Sequence, residues 1–265
     1  MDHTISILVR TLNSPAQLAL AEAIHAYHPG DIKSLSSPNH SAQGLDLGTA
    51  MLDALHAEEA YHSLMTSPAG GLLEAPPPHT GGLVTFLHQA RGTLHELHGV
   101  VLIISPCNES TQLALKLIQS LCPTIVEPVK LHIIFVDCPP GESPKVVFKD
   151  VYQHLDEQEI ATEEQPVLAA ARAFENMQAH KLSLASVLHS GGLELEKEFA
   201  EARMQQVTDK KLRVLARRVM AARAIAAMTT DFQRAYDSLG LKRLNSEEWH
   251  IRHALKSRKP IVSGA

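Results

Sequence analysis

A continuous apolar run, Gly99-Val100-Val101-Leu102-Ile103-Ile104, constrains this chain more than any other stretch. It is rich in β-branched residues and does not alternate with polar ones, which is the pattern of a strand buried on both faces. Ser105-Pro106-Cys107-Asn108 breaks the run, and Asn108 stands in N-cap position before a helix over 109–121. Leu113, Leu117 and Leu121 share one face of that helix. Pro123 and Pro128 end it, and Lys130-Leu131-His132-Ile133-Ile134-Phe135-Val136 supplies a second buried strand. Two such strands around an amphipathic helix predict a right-handed βαβ unit in a parallel sheet. Open parallel sheets bind ligands beyond the carboxyl ends of their strands. Residues 105–108 and 137–143 are therefore expected at any site.

The rest of the chain extends this α/β pattern. Thr4-Ile5-Ser6-Ile7-Leu8-Val9 reads as a first strand, and Ser14-Pro15 opens a helix over 16–26. Residues 31–44 read as an exposed loop, 45–65 as a helix, 72–75 as a short strand and 83–98 as a helix. A turn-dense loop follows Asp137, then helices over 145–155 and 167–179 and a short run over 182–188 that ends at Ser190-Gly191-Gly192. From 193 to 239 breakers are almost absent, which predicts one or two long helices capped by Gly240. A short basic helix starts at Asn245 and fades at Lys259-Pro260. The expected fold is α/β, a mostly parallel, Rossmann-like sheet flanked by helices. Its α/β domain covers 1–192, and a basic helical region over 193–265 packs on it or extends from it.

Three cysteines among 265 residues form no CxxC pair, which fits a reduced, cytoplasmic protein and argues against a disulfide framework or zinc finger. No segment approaches a membrane span, and the polar Met1-Asp2-His3-Thr4 start is not that of a signal peptide. The net charge of −5 conceals a division: residues 1–202 carry 10 Lys/Arg against 24 Asp/Glu, and residues 203–265 carry 14 against 5. A basic tail of this kind is expected to meet nucleic acid, a membrane surface or an acidic partner, or else to dock on the acidic body of its own chain.

The loop between the first strand and its helix is where a nucleotide-binding α/β protein carries its phosphate loop. Such a loop needs glycines for close backbone approach and a lysine for the phosphates. Residues 10–18 contain neither, and GxxxxGK[ST] occurs nowhere in the chain.

Taken together, these stretches resemble the plasmid-stability StbB proteins, a branch of the ParA/MinD-like deviant-Walker ATPases, which implies a P-loop-NTPase-like sheet. The resemblance covers most of the chain and is strongest over about 70–240. A strand ends in a small/Pro loop at Ile103-Ile104-Ser105-Pro106 and is followed by a Gln-containing helix. The next strand runs into a Pro-Gly-Glu-Ser loop, where the family tends to have an Asn-Lys-Val-Asp-type turn. Ala173-Phe174-Glu175-Asn176 then introduces Lys181-Leu182-Ser183-Leu184, and an Arg/Ala-rich helix over 215–239 closes the pattern. The departures are as informative. Thr11-Leu12-Asn13-Ser14-Pro15-Ala16 stands where the family has its glycine- and lysine-bearing loop. Glu74, followed by Ala75-Pro76-Pro77, stands where it has an acidic strand-end residue that positions magnesium and water. A metal there would have no nucleotide to bridge.

The resemblance and its departures together imply a non-catalytic ParA/MinD-like protein of a plasmid or mobile element. It would dimerise and bind a protein partner, such as a small DNA-binding protein, in maintenance, partition or conjugative transfer, without a cofactor. The alternative is an active ATP hydrolase with an atypical loop, taking ATP and Mg and using Arg10 in place of lysine. Arg10, Asn13, Ser14, Glu74 and Asp137 are its candidate nucleotide-binding residues. Lys210, Lys211, Arg213, Arg217, Arg218 and Arg223 are candidates for partner or nucleic-acid binding. Residues 210, 213, 217 and 218 can share one helix face, with Leu212, Val214, Leu215 and Val219 nearer the core. Few aromatics accompany these charges, so weak or no direct DNA affinity is expected at physiological salt. Two histidine sets, His56/Glu58/Glu59/His62 and His88/His95/His98, have metal-like spacing but lack completing ligands, and read as solvated helix faces.

Overall fold

The computed structural model describes residues 4–35, 47–90, 97–122, 130–160, 165–169 and 172–241. Six parallel strands make one sheet: β1 (Ile5–Arg10), β2 (Asp31–Ser34), β3 (Gly71–Ala75), β4 (Leu97–Ile104), β5 (Leu131–Cys138) and β6 (Val167–Ala169). Their order is β2-β3-β1-β4-β5-β6, an α/β, Rossmann-like arrangement. Helices cover both faces, which explains why the central strands read as unbroken apolar runs. Along β4, Val100, Leu102 and Ile104 enter one core while Val101 and Ile103 enter the other. β1 divides likewise, with Ile5, Ile7 and Val9 on one side and Leu8 on the other.

The first core lies under α2 (Leu47–Met65), α3 (Thr80–Gln89), α4 (Asn108–Leu121) and α6 (Lys149–Glu157). Within it, the Phe135 ring lies 4.3 Å from that of Phe148 and 5.0 Å from that of Tyr152. The second core lies under α1 (Pro15–Tyr27), α7 (Arg172–Ala179), α8 (Leu184–Ser190), α10 (Asp209–Ala227) and α11 (Thr229–Asp237). Ile225, Phe232 and Tyr236 of the C-terminal helices are fully buried there. α5 (Pro144–Val147) and α9 (Leu193–Met204) are the remaining α-helices among the described residues.

The predicted βαβ unit is present as β4-α4-β5 in parallel register, with Leu102 beside Ile133. Ser14 caps α1 by accepting the Gln17 N–H, and Pro15 holds the first helical position. Gly240 takes the left-handed conformation after α11, at φ +64°.

Several expectations are corrected. Asp31–Ser34, read within a loop, is an edge strand on β3, and its polar composition reflects its mostly exposed position. The helix expected to run to 98 ends at Gln89. Leu97 and His98 instead begin β4, because Leu97 pairs with Ile5 at the start of the ladder. Val167–Ala169 is a strand on β5 rather than helix, held by long-range pairing and by burial of Leu168. The helix over 145–155 breaks at Phe148, whose ring is taken into the Phe135 core. The span 193–239 forms three helices, divided near Gln206, at φ +50°, and at Met228. Cys107, not Asn108, is the N-cap of α4. Val214, expected near the core, is exposed. The proline stops at 123 and 128, the loop beyond 35 and the basic helix from 245 lie outside the described residues.

One long-range cap ties α1 to its neighbour α8. Glu22 of α1 accepts the backbone N–H groups of Leu184 and Ala185 at 2.8 and 3.4 Å, and the Ser183 hydroxyl at 3.3 Å. A carboxylate at a helix N-terminus meets both the open donors and the positive end of the dipole. Glu22→Ala should therefore cost about 1 kcal/mol in urea unfolding, with no change in slope if the native compactness is kept.

Candidate functional site

Strand order places the site. The connection from β1 runs toward β2 while that from β4 runs toward β5, so their loops part at the β1/β4 boundary. That crevice, beyond the carboxyl ends, is where open α/β sheets take ligands. Residues 11–14 enter it from β1 and residues 105–107 from β4.

Its interior is polar and internally bonded. Gln17, on the inner side of α1, is fully buried. Its Nε2 donates to Thr11 Oγ1 at 3.1 Å and to Ser105 Oγ at 3.0 Å, while its Oε1 accepts the Leu12 N–H at 2.9 Å. Thr11 Oγ1 also donates to the Ile103 carbonyl and lies 2.5 Å from Ser110 Oγ. Ser110 Oγ in turn accepts the Ser105 N–H at 2.8 Å. One carboxamide thus holds the β1 loop against the β4 loop. Its Oε1 also takes up the backbone donor of Leu12.

The sequence-predicted residues converge on this edge in two groups. Arg10 ends β1 and donates through Nε to Glu74 Oε1 of neighbouring β3 at 2.7 Å, each side chain only 8% exposed. Arg10 Nη1 donates to Asn13 Oδ1 at 2.6 Å. His25 Nε2 stands 3.4 Å from Glu74 Oε2, so both carboxylate oxygens face nitrogen atoms of the same chain. On the other side, Asp137 at the end of β5 accepts the hydroxyls of Ser14 and Ser105, each at 3.3 Å. Asp137 holds a left-handed backbone, φ +60°, unusual for a residue other than glycine. Burial pushes its carboxyl above the usual range, the two serine hydroxyls pull it back, and nearby Glu175 adds to the rise.

The basic set lies elsewhere, on α10. Arg218 pairs with Glu198 at 3.7 Å and Arg223 with Glu196 at 2.7 Å, both on α9. Lys210, Lys211, Arg213 and Arg217 are exposed. Arg218, grouped with them on sequence spacing, is half-buried because it turns toward α9. Among the described residues no three His, Cys, Asp or Glu side chains stand close enough to share a metal ion. His95 lies outside the described residues. Nor is any described helix long and apolar enough to cross a membrane.

Sequence reasoning missed Gln17, Thr11, Ser110 and His25. Gln17 had one signal: it is a lone amide among the alanines and leucines of α1. Thr11 and Ser110 carry none, because short hydroxyls are ordinary in loops and first turns.

No protein-family model matches the chain, and no curated protein matches it. Among solved structures, the chain is similar to a ParA family ATPase from Chlorobium tepidum TLS. The identity is 12%, the match covers 70% of this chain and 90% of that one, and the TM-score is 0.41.

The Arg10–Glu74 pair gives a direct test of the site's electrostatics. Removing one partner of a buried ion pair leaves an uncompensated charge, whereas replacing both with apolar groups can be close to neutral. Arg10→Met should cost about 3 kcal/mol or more, and Arg10→Met combined with Glu74→Leu should recover most of that loss. Single costs that simply add in the double variant would show that the two groups are not coupled.

Proposed function

We propose that this chain is a non-catalytic relative of the ParA/MinD-like ATPases, belonging to a plasmid or mobile element. It acts by dimerising and by binding a protein partner in maintenance, partition or conjugative transfer. The observation that carries the reading is the Gln17 carboxamide seated in the loop where such an ATPase holds phosphate. A phosphate loop needs free backbone N–H groups, glycines and a lysine. In this loop the Leu12 N–H is taken by Gln17, the Gln17 N–H by Ser14, and Pro15 has none to offer.

The second support is electrostatic. The acidic residue that resemblance would make a magnesium-positioning group lies on the strand beside β1, with Glu74 next to Leu8 in register. Its charge faces Arg10, a fixed cation of the same chain. A guanidinium on the carboxylate does locally what a bound divalent ion would otherwise do, so the residues present fit ATP–Mg poorly. Arg10 is also drawn to Glu74 and Asn13, which weighs against its serving as a substitute phosphate-binding lysine.

Calorimetry with ATP–Mg²⁺ and with ADP tests this reading. No binding heat is expected for either nucleotide up to millimolar concentration. Micromolar binding, or phosphate release abolished by Arg10→Ala, would instead establish an active hydrolase with an atypical loop.

A further inference from the structure

We propose that the antiparallel hairpin of α9 and α10 is a docking groove for an acidic amphipathic helix of a protein partner. The inference rests on the reading that this chain works through partner binding, and it names the chemistry of that partner.

The groove has a volume of about 350 Å³ between the two helices. Phe199 and Ala200 of α9, with Ala216, Val219 and Met220 of α10, line it. Met220 is 69% exposed on its rim, and Met204, at the end of α9, is 77% exposed. Exposed apolar groups clustered on one hairpin mark interaction surfaces, and unbranched methionines adapt to a partner's shape. The Glu196–Arg223 ion pair sits at the groove and bridges its two walls at the surface.

Charge selects the occupant. Arg203 lines the groove from α9. On α10, Arg213, Arg217 and Met220 follow one another at helical spacing, with Lys210 a turn before. Arg203, Lys210, Arg213 and Arg217 have no ion-pair partner among the described residues, whereas Arg218 and Arg223 are already matched by α9. The surface is thus an apolar slot bordered by unmatched cations. An amphipathic helix can place aliphatic side chains at i, i+3, i+4 and i+7 in the slot and its carboxylates on the basic border. α9 spans 12 residues, or about 18 Å, enough for more than three turns of such a helix. A nucleic-acid backbone meets the cations but leaves the apolar floor uncovered, since phosphate contacts supply its affinity. The protein helix is therefore the occupant that satisfies both parts of the surface.

The test uses the full chain and three synthetic probes. One is a peptide of about 18 residues with Leu at i, i+3, i+4 and i+7 spacing and Glu on its other face. The second replaces each Glu with Lys, and the third is random-sequence duplex DNA. Fluorescence anisotropy should show binding of the acidic peptide alone, weakening as salt is raised. Met220→Glu should reduce that affinity about tenfold, as expected for a charge placed in the apolar slot. Arg213→Glu with Arg217→Glu should reduce it further and remove the weakening with salt. These residues are exposed, and an unchanged unfolding midpoint separates lost docking from lost fold. Equal binding of the basic peptide, or no binding of the acidic one, would overturn the proposal. So would DNA binding lost in the double arginine variant, or self-association lost in Met220→Glu, which would assign the groove to a second copy. Because no arm contains nucleotide, failure here is distinct from ATP–Mg binding, which would overturn the non-catalytic reading itself.

Discussion

The carboxamide of Gln17 is the contact on which the ligand end of the sheet depends. A fully buried amide must have its donors and acceptor met inside the protein, or it costs free energy comparable to the bonds it lacks. Here the partners come from two loops: Thr11 and Leu12 after β1, and Ser105 after β4. The parallel sheet brings those loops together at its switch point, and the amide fixes their separation. Ser110 and Asp137 then extend the same network to α4 and β5. The crevice that a sheet of this order leaves for a ligand is in this chain spanned by its own side chains.

Charge follows the same plan. Glu74 is buried beside β1, and a carboxylate in that position is tolerable only with a cation at hand. Arg10 supplies it from the adjacent strand end, with Asn13 orienting the guanidinium. The unmatched cations of α10 lie on the far hairpin instead. The Arg10–Glu74 pair is thus closed within the sheet end, while Lys210, Arg213 and Arg217 of α10 are exposed without an ion-pair partner among the described residues.

Much of this architecture was legible in the sequence where the signal was strong and local. The run over 99–104 and its twin over 130–136 could only be buried strands, and the helix between them completed a parallel unit. Ser14-Pro15 marked the start of α1 by capping chemistry alone. Short or polar strands failed instead. Asp31–Ser34 has no apolar alternation because it is an edge, and Val167–Ala169 becomes a strand only through pairing with β5. At the site, the five residues singled out from loop position and resemblance do lie at one sheet edge. Their pairing was not legible, because Arg10 and Glu74 are 64 residues apart and meet only through strand order. Gln17 gave too little signal, as one amide in an alanine-rich helix.

If the loop's backbone donors are already occupied by the chain's own side chains, amide hydrogen exchange at Leu12 reports it most directly. The Leu12 N–H is expected to be protected in the protein alone, to lose that protection in Gln17→Ala, and to be unchanged by ATP–Mg²⁺. A Leu12 N–H that exchanges freely in the protein alone and becomes protected only when ATP–Mg²⁺ is added would contradict this reading of the loop.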